Sequence, residues 1–495
     1  MNRSLRYFFF VFMLLSLVSK AQNEGAAVVY SLKDVIDLAQ GQSPQMKLAK
    51  NAYTSRYWQY KLFRSNYLPQ LSLNGTLPNL DKSIRRITLD DGADAFVKNG
   101  LLSTSLELNL SQNVGLTGSQ VFVSSSAQRI DYLYNPVPGN PNISYLVNPV
   151  AVGVRQPLFG FNQLRWDSRI EPLKFEEAKR AFNEDMEQVS IRASELFFDL
   201  LLAQMSVQVQ EQNVQNSDTI YKISKGRYNL GKIAENELLQ IELNLMNAQN
   251  SLSQARMDKD FAMLNLATFL KLPSSQKIDL AEPNVIPDFT VDENIALQEA
   301  QANSQRVINF QRQQLEADAE VQKAKRQSRF QGDIYASYGL TNSGNVYQPL
   351  YTNPQSQQQV RVGVQVPIIN WGRSKASVKT AVSNQELVKI TLEQEQQNFK
   401  QEVLLLAKQI KIYQEKLYIA GKADTIGDKR FDISYKRYMI GKISVVDLNI
   451  ANQDKVQSSI NYIGALRNFW INYYQLRKKT LYDFQANDKI RYKMK

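Results

Sequence analysis

Two hydrophobic periods alternate along this chain. In short stretches apolar and polar residues alternate one by one: Leu71, Leu73 and Gly75 against Ser72, Asn74 and Thr76, and later Ile334, Ala336 and Tyr338 against Asp333, Tyr335 and Ser337. A period of two puts successive side chains on opposite faces of a strand. In long stretches the apolar residues recur every seventh position. Ala193, Leu200, Val207, Val214 and Tyr221 form one such series, with Val189, Leu196 and Ala203 interleaved. Leu238, Leu245, Leu252 and Leu266 form a second, interleaved with Ile241, Ala248, Ala255, Ala262 and Phe269. Leu392, Phe399, Leu406, Tyr413 and Ala420 form a third, with Val403, Ile410 and Leu417 between them. Sustained heptads with small residues on the seam predict closely packed left-handed coiled coils. The helix expected from about Asn162 to Arg227 would be roughly 100 Å long at about 1.5 Å per residue.

These elements come in two copies. Val152-Gly153-Val154-Arg155-Gln156-Pro157 recurs as Val362-Gly363-Val364-Gln365-Val366-Pro367, and the run from Arg227 to Ile233 (RYNLGKI) recurs from Arg437 to Ile443 (RYMIGKI). Both pairs are 210 residues apart (157 to 367, 227 to 437). Two unrelated motifs that keep one offset mark an internal duplication. Each copy reads as a helical segment (Leu32 to Tyr67, and about Val291 to Phe330), two strands, a very long helix, a turn at Arg-Tyr-x-x-Gly and a returning helix. The expected repeats are residues 22–285 and 286–485, followed by a basic tail at 486–495.

The copies differ between their strands. Pro69 to Pro157 exceeds Gly332 to Pro367 by about 53 residues. This insert, at about 79–148, holds another alternating pair, about Leu102 to Leu110 and Gln120 to Ser126, around a turn at Leu116-Thr117-Gly118-Ser119. It also holds a proline-rich stretch, Asn135 to Pro149. An added hairpin keeps the up-and-down parity of the strands, so it joins a barrel or stands outside it.

Residues Asn2 to Arg6 are basic, Tyr7 to Val18 are apolar, and Ser19-Lys20-Ala21 offers small residues for a cut after Ala21. This is the pattern of a secretory signal over residues 1–21. Further along no apolar run reaches the roughly 20 residues of a membrane helix, so membrane residence would have to use strands. Long heptad hairpins cannot bury their seams alone. With an export signal and strands, they suggest an α+β membrane protein: a cylinder of helical hairpins continuing into a β-barrel, whose closure leaves no open sheet edge in lipid.

Composition narrows the chemistry. The 495 residues include no cysteine and no histidine, which removes thiolate chemistry, thiolate metal sites and the commonest general base. No catalytic residue, metal site or cofactor is assigned. The net charge of +12 is spread along helices rather than gathered with stacking aromatics, so no nucleic-acid partner is expected.

The segment from Tyr30 to Asn51 (YSLKDVIDLAQGQSPQMKLAKN) resembles the start of TolC-type outer-membrane efflux channels. So do the helix-to-strand junction Ser65 to Leu73 (SNYLPQLSL), the strand exit Arg155 to Asn162 (RQPLFGFN) and the doubled Tyr-x-x-Gly turn. The resemblance spans nearly the whole mature chain. It implies a trimer with a β-barrel in outer-membrane lipid and a helical tunnel across the periplasm. Such a channel passes cargo from an inner-membrane efflux pump or ABC exporter through a periplasmic adaptor, in efflux or type I secretion.

The resemblance also assigns residues. The adaptor-contacting tips match Tyr228, Gly231, Lys232, Ile233, Gly441 and Ile443. Asp447 matches the first of two aspartates at the family's narrowest ring, while the second position holds Ile450. Glu237 matches an acid that ties the closed state, but its arginine partner's position holds Ile443, leaving Arg437, Tyr438 and Lys442 as gate candidates. As a plain reading, Asp447 is a first-turn acid favoured by the helix dipole and the glycines are turn residues. Two other classes remain: a periplasmic adaptor, which would show one hairpin rather than two, and an exported carboxylate enzyme on a helical scaffold, for which no acid pair stands out.

Overall fold

The computed structural model describes residues 28–88, 92–134, 141–273, 276–283, 289–440 and 442–492. The expected signal at 1–21 and its cut after Ala21 lie outside the described residues. The chain forms two compact units: one of Met1–Tyr53, Lys179–Gln305 and Gln397–Lys495, the other of Thr54–Ala178 and Arg306–Gln396.

The second unit holds a six-stranded antiparallel sheet. Its strands are β2 (Gln70–Thr88), β3 (Asp94–Val114), β4 (Ser119–Tyr134), β5 (Ile143–Leu158), β7 (Gln331–Gly344) and β8 (Gln355–Gln365), hydrogen-bonded in that order. The inserted pair is therefore part of the sheet, as β3 and β4, and its strands run well beyond the expected 102–110 and 120–126. One row of partners crosses all six strands: Leu71, Leu110, Val123, Val152, Tyr338 and Gln358. The next row, on the opposite face, is Ser72, Asn109, Ser124, Ala151, Gly339 and Gln357. One face is thus mainly apolar and the other polar, as the period of two requires. Pro78 and Pro149, which cannot donate to a ladder, sit where the register shifts, between Thr76 and Asn79 and between Val147 and Val150.

The first unit is mainly helical. It contains β1 (Val28–Tyr30), which pairs in parallel with β6 (Ile278–Leu280). The first helical segment is broken in two, α1 (Leu32–Gln42) and α2 (Pro44–Ser65), and the second copy's segment likewise, α5 (Glu293–Asn303) and α6 (Gln305–Gln327). Each break falls on a buried serine in extended conformation, Ser43 or Ser304. Pro44 keeps Ser43 out of the helical region. At Ser304 the Glu184 carboxylate accepts from Ser304 Oγ (3.0 Å) and the Gln305 N–H (2.8 Å), which starts the new helix.

The long helices are α3 (Gln163–Asn229), α4 (Glu235–Leu270), α7 (Arg373–Met439) and α8 (Val445–Thr480). Heptad residues Val189, Ala193, Leu196, Leu200, Val403, Ile410 and Leu417 are all buried. Polar contacts order the helices: Arg256 to Glu211 joins α4 to α3 (2.9 Å), Arg467 to Asp199 joins α8 to α3 (3.3 Å), and Lys455 to Asp428 joins α8 to α7 (3.0 Å). The expected basic tail begins inside a folded segment. β10 (Asp488–Lys489) pairs with β9 (Tyr482–Asp483), and Tyr492 packs on a cluster of Ala49, Phe182 and Met186.

Candidate functional site at the hairpin tips

Each tip follows from how a helix ends. α3 stops at Asn229 because Gly231 takes φ +67°, a left-handed value that glycine adopts without steric cost. The Gly231 N–H then donates to the Tyr228 carbonyl (2.8 Å) and the Lys232 N–H to the Arg227 carbonyl (2.9 Å). These two bonds satisfy carbonyls that the helix end would leave open. The second tip repeats the closing bond, Lys442 N–H to the Arg437 carbonyl at 2.9 Å; Gly441 lies outside the described residues. Tyr228, Lys232, Arg437 and Lys442 are exposed, and Ile233, Tyr438 and Ile443 are half-buried. Leu230 and Ile440 add exposed apolar side chains beside them.

The two returning helices start differently. Ser444 caps α8: the Asp447 N–H donates to Ser444 Oγ (3.1 Å), and the Asp447 carboxylate accepts from the Ser444 hydroxyl (2.7 Å) and N–H (3.1 Å). This reciprocal capping box satisfies two orphan donors at once. The Ser444 hydroxyl and then its N–H hold the Asp447 carboxyl below the usual aspartate range. Asp447 is exposed, while Leu448 and Ala451 beyond it are buried. In α4 the cap position is Ala234, with no side-chain bond, and Glu237 is exposed. Within one protomer, among the described residues, Glu237 forms no ion pair with Arg437 or Lys442.

Sequence reasoning missed one polar cluster in the helical unit. Glu187 is fully buried, with Arg477 Nη2 at 3.1 Å and the Tyr492 hydroxyl donating to the same oxygen at 2.5 Å. Arg477 also reaches Asp483 at 3.1 Å, and the Tyr473 hydroxyl donates to Asp483 at 2.6 Å. Burial raises the pKa of both Glu187 and Tyr492. Burial also acts on Asp483, but the Tyr473 bond and Arg477 outweigh it and hold that carboxyl low. A cavity of about 580 Å³ adjoins the cluster, lined by Asp37, Gln40, Trp470, Tyr474, Arg477 and Tyr492 among others. No signal in the sequence could have found this cluster, because Glu187 and Arg477 are 290 residues apart and belong to no motif.

Among the described residues the arrangement offers exposed charges at turns and a packed helical wall, and no convergent set of reacting groups. Among the described residues no helix is long and apolar enough to cross a membrane, and no cluster of three carboxylates is placed to hold a metal.

Comparison with known proteins agrees with this geometry. The chain matches the family described as outer membrane efflux protein over residues 35–270 and 296–480. No curated protein matches significantly. Among solved structures the chain is similar to the Campylobacter jejuni CmeC outer membrane channel, with 15% identity over 96% of this chain and 92% of that one, at a TM-score of 0.65. It is similar to the outer membrane protein VceC of Vibrio cholerae (10% identity, 93% and 96% covered, TM-score 0.62). It is also similar to the open state of the Neisseria gonorrhoeae MtrE outer membrane channel (15% identity, 94% and 91% covered, TM-score 0.59). With the family matched over most of its length, the chain belongs to the outer membrane efflux proteins: it is an outer-membrane efflux channel reaching into the periplasm, and not an enzyme.

Proposed function

We propose that three copies of this chain close into the channel, with their sheets forming a barrel in outer-membrane lipid and their hairpin tips meeting the periplasmic adaptor. Channels of this family generally are trimers and work with an adaptor and an inner-membrane pump. One observation carries the reading for this chain. Leu405, Ile412, Ile419, Ile426 and Ile433 follow one another every seventh residue along α7 and are 48–64% exposed. They form a second heptad seam on the side of the helix away from the buried one. Leu239, Leu243, Met246, Met257, Phe261 and Leu264 make a comparable exposed stripe on α4.

The polar contacts put α3 and α8 in the middle of the helical unit, so α4 and α7 are its two flanks. Two different exposed seams on opposite flanks favour head-to-tail packing, α7 of one copy on α4 of the next, which closes as a ring. At the tips, Leu230 and Ile440 support docking of an adaptor onto the turns that hold Tyr228, Gly231, Lys232, Ile233, Gly441 and Ile443. Asp447 from each copy would meet at the narrow end as one carboxylate ring, with Glu237, Arg437, Tyr438 and Lys442 around it as gate residues. An efflux pump or an ABC exporter would feed such a channel through the adaptor.

The test is the mass of the full chain purified from outer membranes in mild detergent. Three chains per particle are expected. A stable monodisperse monomer would overturn the assembly.

A further inference from the structure

We propose that this channel ends in an eighteen-stranded barrel, in which β8 of each copy pairs with β2 of the next; this rests on the three-copy assembly above. The duplicated unit by itself carries two strands per repeat, four per chain. Three such chains would close twelve strands. Here the sheet has six strands, because the hairpin inserted in the first repeat lies inside it.

Three observations place β3 and β4 in the wall rather than beside it. Each is hydrogen-bonded on both sides, β3 to β2 and β4, β4 to β3 and β5. The row from Leu71 to Gln358 crosses both without a change of face, so their apolar residues Leu108, Leu110, Val121 and Val123 continue the apolar band. Finally, the turn between them is tied down at the end of the sheet where helices meet strands. Asn162 Nδ2 donates to the Gly115 carbonyl (2.9 Å), Asn113 Nδ2 to the Asn66 carbonyl (3.2 Å) and Gln156 Nε2 to the Thr117 carbonyl (3.2 Å).

The open edges are β2 and β8, and a second copy of this chain is the occupant that fits both. Along the sheet the strand directions alternate, so β2 and β8 run oppositely and can pair antiparallel. Their apolar residues, Leu71 and Leu73 on one edge and Val360, Val362 and Val364 on the other, are exposed and lie on the same face. Unpaired ladder groups cannot face lipid, so these edges must close on one another. At about 4.8 Å between strands and a tilt of about 40°, eighteen strands enclose a ring about 36 Å across, against about 24 Å for twelve. The polar row of Ser72, Asn109, Ser124 and Gln357 would line it. The barrel is then a wide exit, and the tips remain the narrow point.

The test uses the full chain, which has no cysteine of its own. Trimers in lipid nanodiscs are imaged by single-particle electron microscopy and the strands counted. In parallel, cysteine pairs are introduced in cells: Val123→Cys with Val152→Cys, and Leu71→Cys with Val152→Cys. Eighteen strands and a disulfide only in the first pair are expected. A trimer with twelve strands, or a disulfide in the second pair, would mean that the hairpin stands outside the wall and would overturn this inference alone. A particle that is not a trimer overturns the assembly on which it rests.

Discussion

Asp447 and Glu237 lie 210 residues apart and are each third in their helices, α8 and α4, yet only Asp447 is held by its own cap. Ser444 donates to its carboxylate from the hydroxyl (2.7 Å) and the backbone (3.1 Å), whereas Ala234 offers Glu237 no side-chain bond. The helix α8 thus starts with an acid oriented by its cap, and α4 with an exposed acid that no cap side chain holds. That asymmetry separates their expected roles: a fixed charge at the narrow end, and an adaptable one for the gate.

Asp447→Asn is expected to move the reversal potential in a salt gradient towards zero and weaken block by trivalent cations, without loss of trimers. Like charges in a ring favour cations. Glu237→Gln is expected to raise the open fraction and leave selectivity nearly unchanged. An unaltered reversal potential in Asp447→Asn would reduce this residue to a helix cap.

The cap also sets a pH dependence. Ser444 lowers the pKa of Asp447 in the folded state. A depressed carboxylate contributes stability in full above the unfolded aspartate value of about 3.9, and loses it as pH falls through the lower native value. Ser444→Ala removes a cap of about 1 kcal/mol and should shift the loss of cation preference to higher pH. Bilayer recordings across pH 3 to 6 would measure it; an unchanged midpoint counts against the coupling.

Ile419 lies in the middle of the exposed seam on α7. Burial of such a side chain is worth about 1.5–3 kcal/mol per copy, and a charge there adds a desolvation cost. Ile419→Glu is expected to shift the particle from trimer to monomer in detergent, with the helix content intact by circular dichroism. Lys411→Ala, exposed and about a quarter-turn round the helix from the seam, should leave the trimer unchanged. Equal behaviour of the two variants would argue against this flank as the interface.

The buried pair of Glu187 and Arg477 makes a prediction about stability. Removing one partner leaves a charge without compensation, which typically costs about 3–5 kcal/mol. Arg477→Met should lower the unfolding temperature by several degrees, and Glu187→Leu added to it should recover part of the loss. Strictly additive losses would show that the two residues are not coupled.

Gly153 sits beneath the Phe122 ring, which stacks on Tyr335 with centroids 5.8 Å apart. A side chain there must push the ring aside and also crowds the Ala336 carbonyl, at about 1–3 kcal/mol. Gly153→Val is expected to lower the temperature at which trimers dissociate on a gel, and Phe122→Ala in the same chain should restore some of it. A Gly153→Val protein as stable as the parent would contradict this packing.

Local rules made much of the molecule legible. The strands follow from a period of two, the long helices from heptads, and the tips from glycine turns; these depend on residues near in sequence. The breaks at Ser43 and Ser304 were harder to see. Pro44 is a local signal for the first, but the second depends on Glu184, 121 residues from Gln305. The folded end of the chain was likewise hidden, since Tyr492 is held by Glu187 through a contact spanning 305 residues.

From the residues alone come the periods: which positions recur every second or seventh residue, and which motifs recur 210 residues on. What the tertiary structure decided is which of two equivalent patterns faces inward. Along α7 the series Leu392, Phe399, Leu406 and the series Leu405, Ile412, Ile419 are both apolar and both spaced by seven. Only packing buries the first and exposes the second. The inserted hairpin is the same case in a sheet. Alternation defines β3 and β4 as strands, but their place between β2 and β5 is a matter of hydrogen bonds to strands distant in sequence. A periodic pattern specifies a face, and the partner that covers it is set by the rest of the fold.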